Sequence, residues 1–106
     1  MTRAIFRKHG DIITSVIIEG HSGYAEEGSD IICAGLSAVV QFADIQLDML
    51  DVNYAIESNE ETARISIEIR RDSYQSAQPT LWTLWQIIKQ WQEDYSEYIS
   101  ILEVTS

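Results

Sequence analysis

Gly20-His21-Ser22-Gly23-Tyr24-Ala25-Glu26-Glu27-Gly28-Ser29-Asp30-Ile31-Ile32-Cys33-Ala34-Gly35-Leu36-Ser37 holds four of the five glycines, the only cysteine and one of the two histidines of this 106-residue chain. Its first half reads as a glycine loop and its second half as the start of a helix. Ser29 and Asp30 can both cap, and an apolar run follows at once. With Asp30 as N-cap, Cys33 takes the third helical position. There the unpaired N–H groups and the helix dipole favour negative charge, and hence the reactive thiolate. His21, at the far end of the loop, is placed to fold back onto that thiol.

Upstream of the loop lie two short apolar segments, Arg3 to Lys8 and Ile12 to Glu19. His9-Gly10-Asp11 separates them as a turn, which predicts a β-hairpin. His9 falls at the exposed turn. Downstream, Asp30 to about Leu50 is helical. Ile32, Leu36, Val39, Val40, Ala43, Leu47 and Leu50 share one face. Ile31, Phe42, Ile45 and Met49 lie on other faces, so either the helix is central or a partner covers a second surface. Cys33 and Ser37, one turn apart, sit at the margin of the main stripe.

Val52 to Glu57 and Thr62 to Ile69 read as strands joined by Ser58-Asn59-Glu60-Glu61, a turn with no evident chemistry. In the second strand Ala63, Ile65, Ile67 and Ile69 alternate with Thr62, Arg64, Ser66 and Glu68, as in a sheet covered on one side. Arg70 to Ala77 reads as a polar connection. A second helix is predicted from Gln78 or Thr80 to Asp94 or Tyr95, with Pro79 in its first turn. Leu81, Leu84, Trp85, Ile88, Trp91 and Tyr95 form its core stripe, and Trp82, off that stripe, is a candidate dimer or partner contact. Tyr98 to Val104 predicts a last short strand. The order β-β-α-β-β-α-(β) implies one two-layer α+β domain over residues 1–106, with a mostly antiparallel sheet.

Composition narrows the function classes. Acidic residues outnumber basic ones 17 to 7 and the net charge is −10, so direct nucleic-acid binding is disfavoured and basic partners are attracted. No apolar run looks long enough to span a membrane, and Met1 to Lys8 lacks the apolar centre of a signal peptide. One cysteine makes no internal disulfide, which fits a reducing compartment; a cytoplasmic protein with no membrane association is expected. His21 and Cys33 offer a metal two ligands and no clear third, so no metal or other cofactor is expected.

The thiol and imidazole fit cysteine hydrolase chemistry. Cys33 attacks a carbonyl, His21 manages the protons, and helix-start N–H groups meet the oxyanion. Asp30 could orient His21, although capping would occupy its carboxylate. Gly20, Gly23 and Gly28 allow sharp bends or a moving loop, and Tyr24 could line a substrate groove. Two other readings use the same residues: a non-catalytic binding module, and a redox-sensing thiol, which lacks a resolving cysteine.

Gly20-His21-Ser22-Gly23-Tyr24-Ala25, Gly28 and Asp30-Ile31-Ile32-Cys33-Ala34-Gly35-Leu36-Ser37 resemble the signature of the bacterial ribosomal-processing cysteine proteases, the Prp family. The chain also fits that family in length and element order. The resemblance implies a compact α+β fold, a homodimer, and removal of an N-terminal extension from a large-subunit ribosomal protein. It makes His21 and Cys33 the catalytic pair, with Gly20, Asp30 and Ser37 as supporting positions. A basic ribosomal protein is the electrostatically expected substrate of so acidic a chain, and the alternative under the same resemblance is a non-catalytic, ribosome-associated module that binds a ribosomal protein or assembly factor.

Overall fold

The computed structural model describes residues 1–25 and 30–105. The hairpin forms as expected, with strands β1 (Thr2–His9) and β2 (Ile12–Glu19). Its turn carries Gly10 at φ +62°. The pairing runs Arg7 to Ser15 and then Lys8 to Ile13, so Thr14 is an extra residue, a β-bulge. The bulge resets the pleat. Val16 and Ile18 alternate on the core face, and Ile13 returns to that face out of step. The Gln78 side chain then meets Ile13, accepting from its N–H and donating to its carbonyl, each at 2.9 Å.

Helix α1 (Ile31–Met49) begins where the sequence places it. Asp30 has extended backbone and accepts from the N–H groups of Ile32 and Cys33, both at 3.0 Å. The helix ends in a Schellman pattern: Val52 N–H reaches Leu47 O and Asp51 N–H reaches Asp48 O, with Asp51 at φ +55°. Ile32, Leu36, Val40, Ala43 and Leu47 are buried, as the stripe predicts. Ile31, Phe42, Ile45 and Met49 are 54–78% exposed. Contrary to the sequence reading, α1 is long and apolar enough to cross a bilayer, with a mean hydropathy of 1.4. Its polar residues, Asp44 and Asp48 among them, break the run without lowering the average far. Here α1 buries its stripe in the core shared with α2 and the sheet.

Strands β3 (Tyr54–Asn59) and β4 (Arg64–Ile69) follow, each shifted about two residues from its predicted start. Ile67 and Ile69 are buried while Arg64 and Glu68 are exposed, so the alternation holds. The larger difference is helix α2 (Tyr74–Asp94), preceded by a 3-10 turn at Arg71–Ser73. The predicted polar connection is therefore mostly helix, and Pro79 lies at its sixth residue rather than in its first turn. Pro79 has no N–H for the Gln75 carbonyl, but Gln75 is exposed and water can take that place. The Gln78 amide bonds the Tyr74 carbonyl and steadies this turn. Ala77, Leu81, Leu84 and Ile88 are buried along α2. Trp82, expected as a partner contact, packs within the chain, edge-on to Trp85 and beneath the Lys8 ammonium.

Strand β5 (Ile99–Thr105) closes a five-stranded sheet in the order β3-β4-β2-β1-β5. It runs parallel to β1, and the other three pairings are antiparallel. This is the mostly antiparallel α+β arrangement read from the sequence. The helices connect β2 to β3 and β4 to β5, and α2 lies against β2 and β5 with α1 beside it.

Candidate active site

The glycine loop leaves the sheet at Gly20, whose N–H donates to Ala63 O and whose carbonyl accepts from Thr2 Oγ1. Gly20 sits at φ +87°, and a Cβ there would come within 2.8 Å of the Met1 carbonyl oxygen. Only glycine meets both demands without strain. Past Gly23 the loop is pinned again. The Tyr24 ring lies edge-on to Tyr95 and Tyr98, at centroid distances of 5.9 and 5.2 Å. These contacts hold the loop to the end of α2 and the start of β5, and the Tyr24 ring stays partly exposed. The expectations for Gly28 and Ser29 fall outside the described residues.

Between these two pins the loop meets the helix start. Ser22 N–H points at Cys33 Sγ across 3.4 Å. The Ser22 hydroxyl donates to Asp30 Oδ2 and accepts from Tyr24 N–H. Ser22 and Asp30 are both buried, and Cys33 is half-buried. Burial would push the Asp30 carboxyl upward. The Ser22 hydroxyl, the N–H groups of Cys33 and Ile32 and the Cys33 thiol outweigh that, holding its pKa at about 2. Asp30 is therefore a fixed carboxylate whose oxygens serve the cap and the loop. No described residue bonds the His21 imidazole, so Asp30 does not orient it here.

Occupied donors also change the expectation for an oxyanion site. Asp30 takes the N–H groups of Ile32 and Cys33 with its side chain and that of Ala34 with its carbonyl. The first helical turn is largely spent on its own cap. The donor that faces the sulfur comes from the loop, at Ser22.

His21, Cys33 and Ser37 all line one cavity of about 420 Å³, together with Gly20. Ile18, Leu36, Val40, Ile56 and Ile65 make it apolar; Gln41, Asp44, Asn59, Glu60 and Arg64 add polar groups. The β3–β4 turn, which carried no evident chemistry in the sequence, is thus part of the cavity wall. Asn59 shapes that turn by accepting from Glu61 and Thr62 N–H. Asp44 accepts from the Tyr54 hydroxyl; burial and this carboxylate raise the phenol to about 12 and keep it neutral. A half-buried thiol and an exposed imidazole facing one partly apolar cleft of this size suit attack on a carbonyl in an extended peptide.

Comparison with known proteins bears on the same residues. Positions 1–100 match the family model described as cysteine protease Prp. The ribosomal processing cysteine protease Prp of Staphylococcus aureus is 31% identical over 94 residues, covering 84% of this chain and 85% of that protein. Crystal structures of the essential S. aureus ribosomal processing protease superpose closely. The complex with a covalently linked product peptide gives a TM-score of 0.88 at 26% identity, covering 97% of this chain and 99% of that one. The complex with a substrate peptide gives 0.84 at 25% identity, with the same coverage.

Proposed function

This chain belongs to the Prp family of cysteine proteases, and from that premise we propose that it removes the N-terminal extension of a large-subunit ribosomal protein, with Cys33 as nucleophile and His21 as its acid–base partner. The observation that carries the assignment is the shared cleft: His21 and Cys33 open onto one cavity, and the residue after His21 bonds the sulfur.

In this mechanism Cys33 Sγ, as thiolate, attacks the scissile carbonyl carbon. The carbon–nitrogen bond breaks as His21 gives its proton to the leaving amine, the new N-terminus of the mature ribosomal protein. The extension is left as a thioester on Cys33. Water, deprotonated by His21, attacks that thioester; the extension leaves as a free carboxylate and the thiol is restored. Ser37, one turn along α1, lines the cavity beside the reacting atoms. The acidic surface draws in a basic substrate, and its location is the cytoplasm, where ribosomes assemble.

Incubation with an extended ribosomal protein tests this reading. The expected result is a single mass loss equal to the extension, produced by the intact chain and not by Cys33→Ala. Unchanged substrate mass with the intact chain contradicts it.

The outward face of α1 gives the protease a second copy to pair with. Phe42, Ile45 and Met49 recur at spacings of three and four, Ile31 lies three helical turns before Phe42 on the same face, and all four stay exposed on one chain. A homodimer packing α1 against its symmetry mate covers them. Phe42→Glu is expected to convert the dimer to monomer in analytical ultracentrifugation, with an unchanged circular dichroism spectrum. A monomeric intact chain at the same concentration contradicts this arrangement.

A further inference from the structure

We propose that Ser22 is a positioning residue for the reaction, acting through Asp30 and the loop backbone to hold His21 and its own N–H against Cys33. The proposal rests on the assignment of Cys33 and His21 above and names what fixes their geometry.

His21 has no described side-chain partner, so its position is set by the backbone on either side. Gly20 is tied to the sheet by two hydrogen bonds. On the other side stands Ser22, 2% exposed, with all three of its polar contacts aimed inward. Its hydroxyl donates to Asp30 Oδ2 and accepts from Tyr24 N–H, and its N–H reaches Cys33 Sγ. Asp30 in turn holds the Cys33 N–H through its other oxygen. One carboxylate thus grips the nucleophile's backbone with one oxygen and the loop next to the acid–base residue with the other. The short path from Cys33 through Asp30 to Ser22 couples the loop to the helix start, beside the direct contact of Ser22 N–H with Cys33 Sγ. The fixed charge of Asp30 makes the grip independent of pH through the neutral range.

An alanine at position 22 keeps the backbone N–H but removes the hydroxyl that aims it. Displacing a catalytic group by a fraction of an ångström to an ångström costs about ten- to a hundredfold in rate. The remaining substrate-binding surface, chiefly the apolar walls and the β3–β4 turn, is untouched.

The test compares the intact chain, Ser22→Ala, Ser22→Thr and Cys33→Ala on an extended ribosomal protein, with thermal melts to identify the folded variants. For Ser22→Ala the expected results are a kcat lower by about tenfold or more, a KM within about twofold, and slower iodoacetamide labelling of Cys33 at neutral pH. Ser22→Thr, which retains the hydroxyl, is expected to recover most of the lost kcat. Folded Ser22→Ala with intact kcat and labelling overturns the proposal, while an inactive Cys33→Ala leaves the protease assignment standing. Should Ser22→Ala not fold, Ser22→Thr decides: a folded threonine variant as slow as Cys33→Ala also overturns the role of the hydroxyl. Cleavage by Cys33→Ala at the normal rate defeats the underlying assignment instead.

Discussion

Replacing Cys33 by alanine is expected to lower kcat for extension removal by at least about 10⁴-fold, and His21→Ala by about 10²- to 10⁴-fold. Neither change threatens the fold. Cys33 is half-buried and contributes a small side chain, and His21 is exposed. Circular dichroism and thermal melting should therefore match the intact protein closely. With the thiol and imidazole proposed to act as one unit, the double variant is expected to be no slower than Cys33→Ala alone. An independent role for His21, such as holding substrate, would make the two losses multiply. Substrate affinity separates catalysis from mere binding: Cys33→Ala should retain a complex with the extended ribosomal protein while leaving it uncut. Full activity in Cys33→Ala would remove the nucleophile from the account.

Asp30→Ala carries the second large expected effect, on stability and rate together. The substitution removes the N-cap acceptor for Ile32 and Cys33, worth about 0.5–2 kcal/mol. It also strips the buried Ser22 hydroxyl of its acceptor, which costs about 1–3 kcal/mol. A loss of about 1.5–5 kcal/mol in urea unfolding at pH 7 is expected, with activity reduced even where the protein remains folded.

The sign of the pH dependence follows from the depressed carboxyl. The Asp30 pKa falls from an ordinary 3.8 to about 2 on folding, so its contribution is complete above the ordinary value and is lost as pH drops through about 2. The stability gap between intact chain and Asp30→Ala should thus narrow as the pH is lowered from about 4 toward 2. Other carboxylates titrate in both proteins and cancel in the difference. A gap that widens on acidification would mean that Asp30 is not held ionised by these donors.

Much of this was legible in the residues because it depends on local pattern. The 3.6-residue stripe through Ile32, Leu36, Val40 and Leu47, the alternation from Arg64 to Ile69, and Asp30 ahead of an apolar run each encode their element directly. Pro79 misled because proline most often marks a first helical turn. Here the Gln78 side chain and the buried Ala77 draw the helix back to Tyr74, a tertiary effect outside any local window. The cavity wall at Asn59, Glu60 and Arg64 depended on strand order, which the sequence did not specify.

The loop was partly legible. A glycine at the strand exit and an aspartate at the helix cap are local demands. The Ser22–Asp30 contact spans eight residues and closes only when the loop folds, so a serine between histidine and glycine looked merely small. Its one local signal was a hydroxyl two residues before Tyr24, placed to accept that N–H. Likewise, Tyr24 finds Tyr95 and Tyr98 only because β5 runs beside β1 and brings the chain's last turn to the loop.

The most direct measurement is a single turnover on an extended ribosomal protein, quenched in acid and mapped by peptide mass spectrometry. The account predicts the released extension joined through a thioester to the peptide that contains Cys33, and discharged from it by hydroxylamine. An acyl group found on any other residue, with Cys33 still free, would contradict it.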